Sequence, residues 1–305
     1  MGDIKLFQTA AGSVTELVGK SVVIEKTLQT LMEKHLEAFL GVRFLASEYT
    51  TGKTHGGRID TLGIDENGSP VIIEYKRSLN ENVINQGLFY LDWLLDHQAE
   101  FKLLTMDRLG ADAGTKIDWG GTRLICIAAD FTRYDEHAVA QINRNIELLR
   151  YRTFGEDLLL LELVNGLRSG VPDAGSGIPA ASETAKGPYK GVLDYLKQAP
   201  AELANLYHAL EAFLLALGEV QVNPTKQYVA YRRIKNFACV EVHPQSKKLL
   251  VFVKVDPTTV ELKPGFSRDV RKIGHFGTGD LELTLTSVGD LELAKPLLIA
   301  SYEAS

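Results

Sequence analysis

Asp60, Glu74 and Lys76 are the residues of this 305-residue chain whose types and spacing can do chemistry together. Asp60 lies in Gly57-Arg58-Ile59-Asp60-Thr61-Leu62-Gly63-Ile64, and Glu74 and Lys76 lie in Val71-Ile72-Ile73-Glu74-Tyr75-Lys76-Arg77. Between them runs Asp65 to Pro70, a cluster of turn formers. That pattern reads as two strands joined by a tight turn. Side chains alternate along a strand, so Glu74 and Lys76 share one face while Tyr75 points to the other. The returning hairpin brings Asp60 beside them. Two carboxylates and an amine at one end of an apolar sheet are costly to bury unless paired or bound to a cation. Oxygen donors of this kind suit Mg²⁺, for which Mn²⁺ can substitute. An amine next to them can steer an attacking water or stabilise negative charge developing at phosphorus. The plainer alternative is a Glu74–Lys76 salt bridge on a solvated strand, with Asp60 as an ordinary strand-end acid.

Three features favour the chemical reading: the strand is too apolar for a surface ribbon, an Asp lies one hairpin upstream, and the motifs follow in a familiar order. Gly-Arg-Ile-Asp stands at 57–60, Asp-x-x-Gly at 65–68 and Val-x-x-Glu-x-Lys-Arg at 71–77. In this the chain resembles the PD-(D/E)xK nuclease superfamily and, more narrowly, the NucS-type (RecB-like) endonuclease domain. Where the broad family has Pro before the Asp, this chain has Ile59. The resemblance covers about the first half of the chain. It implies a restriction-endonuclease-like αβββαβ core with a mixed central sheet. It also implies a metal-dependent endonuclease that hydrolyses DNA phosphodiester bonds with a cation-activated water, in DNA repair, restriction or phage defence. Asp60 and Glu74 would hold Mg²⁺, Lys76 would align the water, and Arg58 and Arg77 would contact flanking phosphates. Glu25 would be a further metal-site acid, or else a first-turn Glu answering the helix dipole. Gln86 and Tyr90, four apart on one helix face, match a Gln-x-x-x-Tyr pair that relatives place near the bound strand. Gln86 would then serve catalysis and Tyr90 the nucleic acid; the alternative for both is helix packing. A different class of function is a catalytically silent nuclease fold that binds nucleic acid or a protein partner, against which the intact Asp60, Glu74 and Lys76 weigh. A phosphate-cradling nucleotide hydrolase would need a Gly-x-x-x-x-Gly-Lys-Ser/Thr loop, which the sequence lacks.

The elements that must position these residues follow from periodicity. Ser13 to Val18 reads equally as a strand or a helical turn. A helix is expected over 24–40, with Leu28, Leu31, Met32, His35, Leu36 and Phe39 on one stripe, and a stop at Gly41. On that wheel Glu25 falls within the stripe while Glu33 and Glu37 point away. A strand over 42–49 and a polar loop over 50–57 containing His55 precede the hairpin. Helices are expected over 82–101 and 135–151, the latter with Val139, Ile142, Ile146 and Leu149 inward. Between them lie a loop at 107–120 and a nearly unbroken apolar strand at 123–131. A strand at 158–164 ends the domain. Gly, Ser, Ala and Pro then dominate 166–188, a linker between a nuclease-like domain at 1–165 and a smaller α+β domain at 189–305. That second domain reads as helices at 189–196 and 201–217, strands at 228–234, 238–243, 249–255 and 281–285, and a helix at 290–302 bent at Pro296.

Composition is that of an ordinary soluble protein, with 45% hydrophobic and 24% charged residues and a net charge of −6. Residues 1–165 hold 17 Lys and Arg against 24 Asp and Glu, a balance of −7. Bulk attraction to nucleic acid is therefore not expected, and local patches matter more. One such patch is 226–254, where seven basic residues face a single acid, Glu241. Within it Arg232, Arg233 and Lys235 alternate with Tyr228, Tyr231 and Phe237, a mixture that can bind phosphates and stack bases. Alternation alone also yields it, with aromatics inside and charges outside. Neither an 18-residue apolar run nor a signal peptide is evident, and the two cysteines suit buried thiols, so a cytoplasmic location is expected. DNA is the expected partner, with a homodimer as one arrangement for cutting both strands.

Overall fold

A computed structural model describes residues 4–10, 12–20, 25–52, 56–76, 83–164 and 191–305. His55, Arg77 and the expected linker over 166–188 lie outside the described residues. The chain divides into two compact units, Met1–Asn165 and Gly166–Ser305.

The first unit opens with a hairpin of β1 (Leu6–Ala10) and β2 (Ser13–Leu17), followed by β3 (Gly19–Lys20). Then come α1 (Glu25–Lys34), α2 (Leu36–Leu40), β4 (Val42–Thr50), β5 (Arg58–Asp65) and β6 (Pro70–Lys76). After these run α3 (Val83–Asp96), α4 (Gln98–Leu109), α5 (Ala111–Thr115), β7 (Arg123–Ala128), α6 (Arg133–Gln141), β8 (Asn145–Phe154) and β9 (Leu158–Leu163). The expected αβββαβ order is present. Its central sheet runs β3-β8-β7-β6-β5-β4, with β9 also on β8. The sheet is mixed: β4, β5 and β6 are antiparallel neighbours, whereas β6, β7 and β8 are parallel. Trp93, Leu94 and Phe101 from the helices pack on Ile72, Leu124, Cys126 and Leu148 of the strands.

Several expectations are corrected. The first helix breaks at His35 and ends at Gly41, whose φ of 64° only glycine adopts without strain. The break leaves Leu36 and Leu40 buried and His35 exposed. The helix expected over 82–101 breaks at His97, whose ring stacks on Trp93 with its Nδ1 2.9 Å from the Trp93 carbonyl oxygen. The expected loop at 107–120 contains the end of α4 and all of α5. The largest correction is at 135–151: the helix stops at Gln141, and β8 begins at Asn145. Every residue from Ile146 to Tyr151 is buried, as in a strand covered on both faces. Glu147 and Arg150 interrupt the apolar run, which left spaced hydrophobics that mimic a helical stripe. Both are ion-paired, Glu147 to Arg123 at 3.0 Å and Arg150 to Asp130 at 2.6 Å.

The second unit holds α7 (Val192–Lys197), α8 (Ala201–Ala216), β10 (Gln221–Pro224), β11 (Val229–Arg232), β12 (Asn236–His243), β13 (Lys248–Val253), β14 (Ser267–Asp269), β15 (Leu281–Leu285) and α9 (Val288–Glu303). Its antiparallel sheet has the order β10-β11-β12-β13-β15-β14. Leu206, Leu210 and Leu214 of α8 and Leu291 and Leu298 of α9 pack on Val240, Val251 and Leu283. Strands β10 and β14 were not expected, being too short for a periodic signal. α9 runs unbroken through Pro296. Among the described residues no helix is long and apolar enough to cross a membrane.

Candidate active site

The site forms where two hairpin strands part. The β5–β6 ladder runs from Ile64↔Pro70 to Thr61↔Ile73, while β5 continues along β4 to Arg58 and β6 along β7 to Lys76. At the fork, side chains take up the backbone donors. The Asp60 amide donates to Glu74 Oε1 at 3.1 Å, and the Tyr75 amide donates to Asp60 Oδ2 at 3.0 Å. Each acid thus satisfies an amide on the other strand, which fixes both carboxyls at one point.

The electrostatics are strained. Glu74 is 0% exposed. Burial, followed by the neighbouring Asp60 charge, pushes its carboxyl up to about 9, so without a cation it carries a proton at neutral pH. Burial also raises Asp60, partly offset by the Tyr75 amide and the Lys76 ammonium. Glu74 Oε2 is buried and receives no hydrogen bond from any N–H or hydroxyl of the described residues. Hard oxygen donors with an unsatisfied buried lone pair fit a small divalent cation. Among the described residues no group of three or more His, Cys, Asp and Glu forms a metal set. Asp60 and Glu74 are the residues here that could hold such a cation, with its other positions left to water and substrate, as Mg²⁺ commonly arranges.

Lys76, with its side chain 16% exposed, lies 3.9 Å from Glu25. Glu25, at the start of α1, is thereby placed beside the lysine. Gln86 and Tyr90 come together as their spacing implies, with Gln86 Nε2 donating to the Tyr90 hydroxyl at 3.3 Å. That hydroxyl also accepts from the Arg58 amide at 3.1 Å. Tyr90 is 6% exposed, and a Cβ on Gly57 would fall 2.5 Å from its ring, so the glycine permits the contact. The buried ring holds the Asp60 strand by its backbone. Arg58 is exposed and pairs with Glu48 at 2.5 Å.

Four residues around the fork escaped the sequence reading. Gln29, a buried residue of α1, donates to the Asp60 carbonyl at 2.8 Å and to Glu33 Oε1 at 2.9 Å. Glu33, expected to point away, accepts from Thr61 Oγ1 at 2.6 Å, and Thr61 Oγ1 lies 3.4 Å from the Tyr75 hydroxyl. Helix α1 therefore faces the fork with polar groups, whereas an apolar-stripe wheel assigns such groups to solvent. Glu48 and Lys26, paired at 2.7 Å, are the other two. The nearest sequence signal was the spacing of Gln29 and Glu33, four apart on one face.

In the second unit, Arg232 is 5% exposed and its guanidinium donates to Gln221 Oε1 at 2.7 Å. Its side chain does not face solvent. Arg233 is half-buried, its guanidinium 4.6 Å from the Tyr302 ring centre, and Lys235 is half-buried. Tyr228, Tyr231 and Phe237 all point inward.

Residues 192–305 match a family described as a domain of unknown function, DUF5655. A protein of Haemophilus influenzae described as uncharacterized is 26% identical, over 97% of this chain and 98% of its own length. Among solved structures, a repair endonuclease from Pyrococcus abyssi is similar at a TM-score of 0.28 and 18% identity, over 42% of this chain. The chain spans 48% of the length of that endonuclease chain.

Proposed function

We propose that the first unit is a metal-dependent nuclease of the PD-(D/E)xK type, close to the NucS-like endonucleases, hydrolysing phosphodiester bonds of DNA. The observation that carries this reading is the buried Asp60–Glu74 pair at the strand fork, with its orphaned Glu74 Oε2. A protein gains nothing in stability from two adjacent buried carboxyls, so their presence points to a cationic partner. Asp60 and Glu74 would hold Mg²⁺ or Mn²⁺, giving up the Glu74 proton on binding. The cation, when bound, supplies Lewis acidity and neutralises charge at the phosphate. Lys76, tethered near Glu25, places an ammonium at the same rim, where it orients the attacking water and stabilises negative charge on the phosphoryl oxygens. Gln86, fixed through Tyr90, presents its remaining amide N–H and carbonyl oxygen toward a substrate backbone.

The test is a cleavage panel of single-stranded, duplex, mismatched and flapped DNA with Mg²⁺ and Mn²⁺, beside Asp60→Asn and Lys76→Ala. Loss of about 10²–10⁴-fold in rate is expected for Lys76→Ala, and loss of cation uptake for Asp60→Asn. Equal cleavage by Lys76→Ala would assign the activity to a contaminant. Absence of both nicking and cation uptake in the wild type would decide for a catalytically silent module.

A further inference from the structure

Glu48 is a misfit on its strand. Ser47 pairs with Thr61 and Tyr49 with Ile59, which sets Glu48 opposite Asp60. Like charges facing each other across antiparallel strands are unfavourable. Glu48 also has a φ of 54°, a left-handed conformation unusual for a residue with a side chain. Two cations from different elements converge on it: Lys26 Nζ of α1 at 2.7 Å from Oε1, and Arg58 Nε of β5 at 2.5 Å from Oε2. Both cations are largely exposed, so neither is needed to neutralise a buried charge. Exposed pairs of this kind add little to stability, which leaves the strained backbone and the facing acid uncompensated by folding energy.

A carboxylate gripped by an ammonium and a guanidinium has the charge and hydrogen-bonding pattern of a bound phosphate. We propose that Lys26 and Arg58 form a subsite for a backbone phosphate next to the scissile one, and that Glu48 occupies this subsite until nucleic acid displaces it. The inference rests on the nuclease reading of the Asp60–Glu74 fork and adds to it a second cation and a built-in competitor. Glu48 then lowers affinity for every polyanion, so that only a strand able to engage both the subsite and the fork is held.

The experiment is metal-free binding of fluorescently labelled single-stranded and duplex oligonucleotides, in chelator, at several salt concentrations. With Glu48→Gln, which keeps the side-chain shape, affinity is expected to rise about threefold or more. The slope of log affinity against log salt should steepen by about one, since one more phosphate is neutralised. Glu48→Gln combined with Lys26→Ala or Arg58→Ala should return to wild-type affinity. Asp112→Asn, which removes an exposed charge paired with Lys116 on α5, controls for net charge. Unchanged or weaker binding by Glu48→Gln, or an equal gain in Asp112→Asn, overturns the proposal. Cleavage by the wild type is scored separately. A protein that cuts DNA yet shows no Glu48 effect loses the subsite and keeps the nuclease; a protein that neither cuts nor binds loses both.

Discussion

The Asp60 amide donates to Glu74 Oε1 at 3.1 Å across the point where β5 and β6 part. With the return bond from the Tyr75 amide to Asp60 Oδ2, it makes the fork a rigid bracket whose two arms are acids. Rigidity has an electrostatic cost here, because the bracket holds the carboxyls together whether or not a cation lies between them.

That cost predicts an unusual pH dependence for the metal-free protein. Glu74 is raised from an ordinary carboxylate value to about 9 when folded. A group shifted upward contributes stability that is complete below its unfolded value and lost as pH climbs through its folded one. Metal-free wild type is therefore expected to lose stability between about pH 5 and 9. Glu74→Gln should lack that loss and be more stable by about 1–3 kcal/mol at pH 8, the cost of an uncompensated buried group. Mg²⁺ at a hundred times its Kd should restore about 2.7 kcal/mol to the wild type and none to the variant. Thermal melts across pH, with and without Mg²⁺, measure all three. A wild-type Tm that rises in parallel with that of the variant would contradict the assigned protonation.

Much of the fork was legible in the sequence, because it depends on local rules. Asp65 to Pro70 dictates the turn, and Asp65 Oδ1 indeed accepts from the amides of Asn67 and Ser69 at 2.9 Å. Once the turn is set, alternation brings Asp60 to Glu74. Strand β8 was illegible for the opposite reason. Arg150 and Glu147 are tolerated inside it through partners elsewhere in the chain, Asp130 and Glu162 for the arginine and Arg123 for the glutamate. Glu33 and Gln29 were likewise hidden, since their partners Thr61 and Asp60 belong to the neighbouring sheet.

Arg123 illustrates what such distant pairing costs to break. It lies 3.2 Å from Asp65 and 3.0 Å from Glu147, all three nearly inaccessible to solvent. Burial disfavours its charge, but the two carboxylates outweigh that and raise its pKa. Arg123→Met would strand two buried anions and is expected to cost about 3–5 kcal/mol. The triple variant with Asp65→Asn and Glu147→Gln should recover part of that loss. Urea unfolding with tryptophan fluorescence decides it, and a loss under 1 kcal/mol would show that the triad is solvated.

Tyr90→Phe separates positioning from stacking. Removing the hydroxyl leaves the Arg58 amide without its acceptor and is expected to destabilise the protein by about 1 kcal/mol. Because the ring is buried, metal-free affinity for an oligonucleotide should stay within twofold of wild type. A tenfold loss of affinity with unchanged stability would return Tyr90 to the nucleic-acid surface.

Gln29 holds the fork from the other side, and its role can be separated from simple packing by exchanging two residues. Its amide bridges the Asp60 carbonyl and Glu33. The exchange Gln29→Glu with Glu33→Gln preserves an amide–carboxylate pair four apart on α1, so helix stability is expected to stay within about 0.5 kcal/mol. The carboxylate now at 29 cannot donate to the Asp60 carbonyl, and repels it. Asp60 should loosen, and amide exchange at Asp60 and Tyr75 should quicken selectively, because those two amides depend on the bracket. Mn²⁺ affinity should fall about tenfold, as for other changes behind a metal ligand, with kcat falling more than KM rises. If Gln29 only packs, the exchanged protein will match wild type in exchange rates, Mn²⁺ binding and turnover alike. Amide exchange on metal-free protein is the decisive measurement, because it reads the bracket without relying on catalysis.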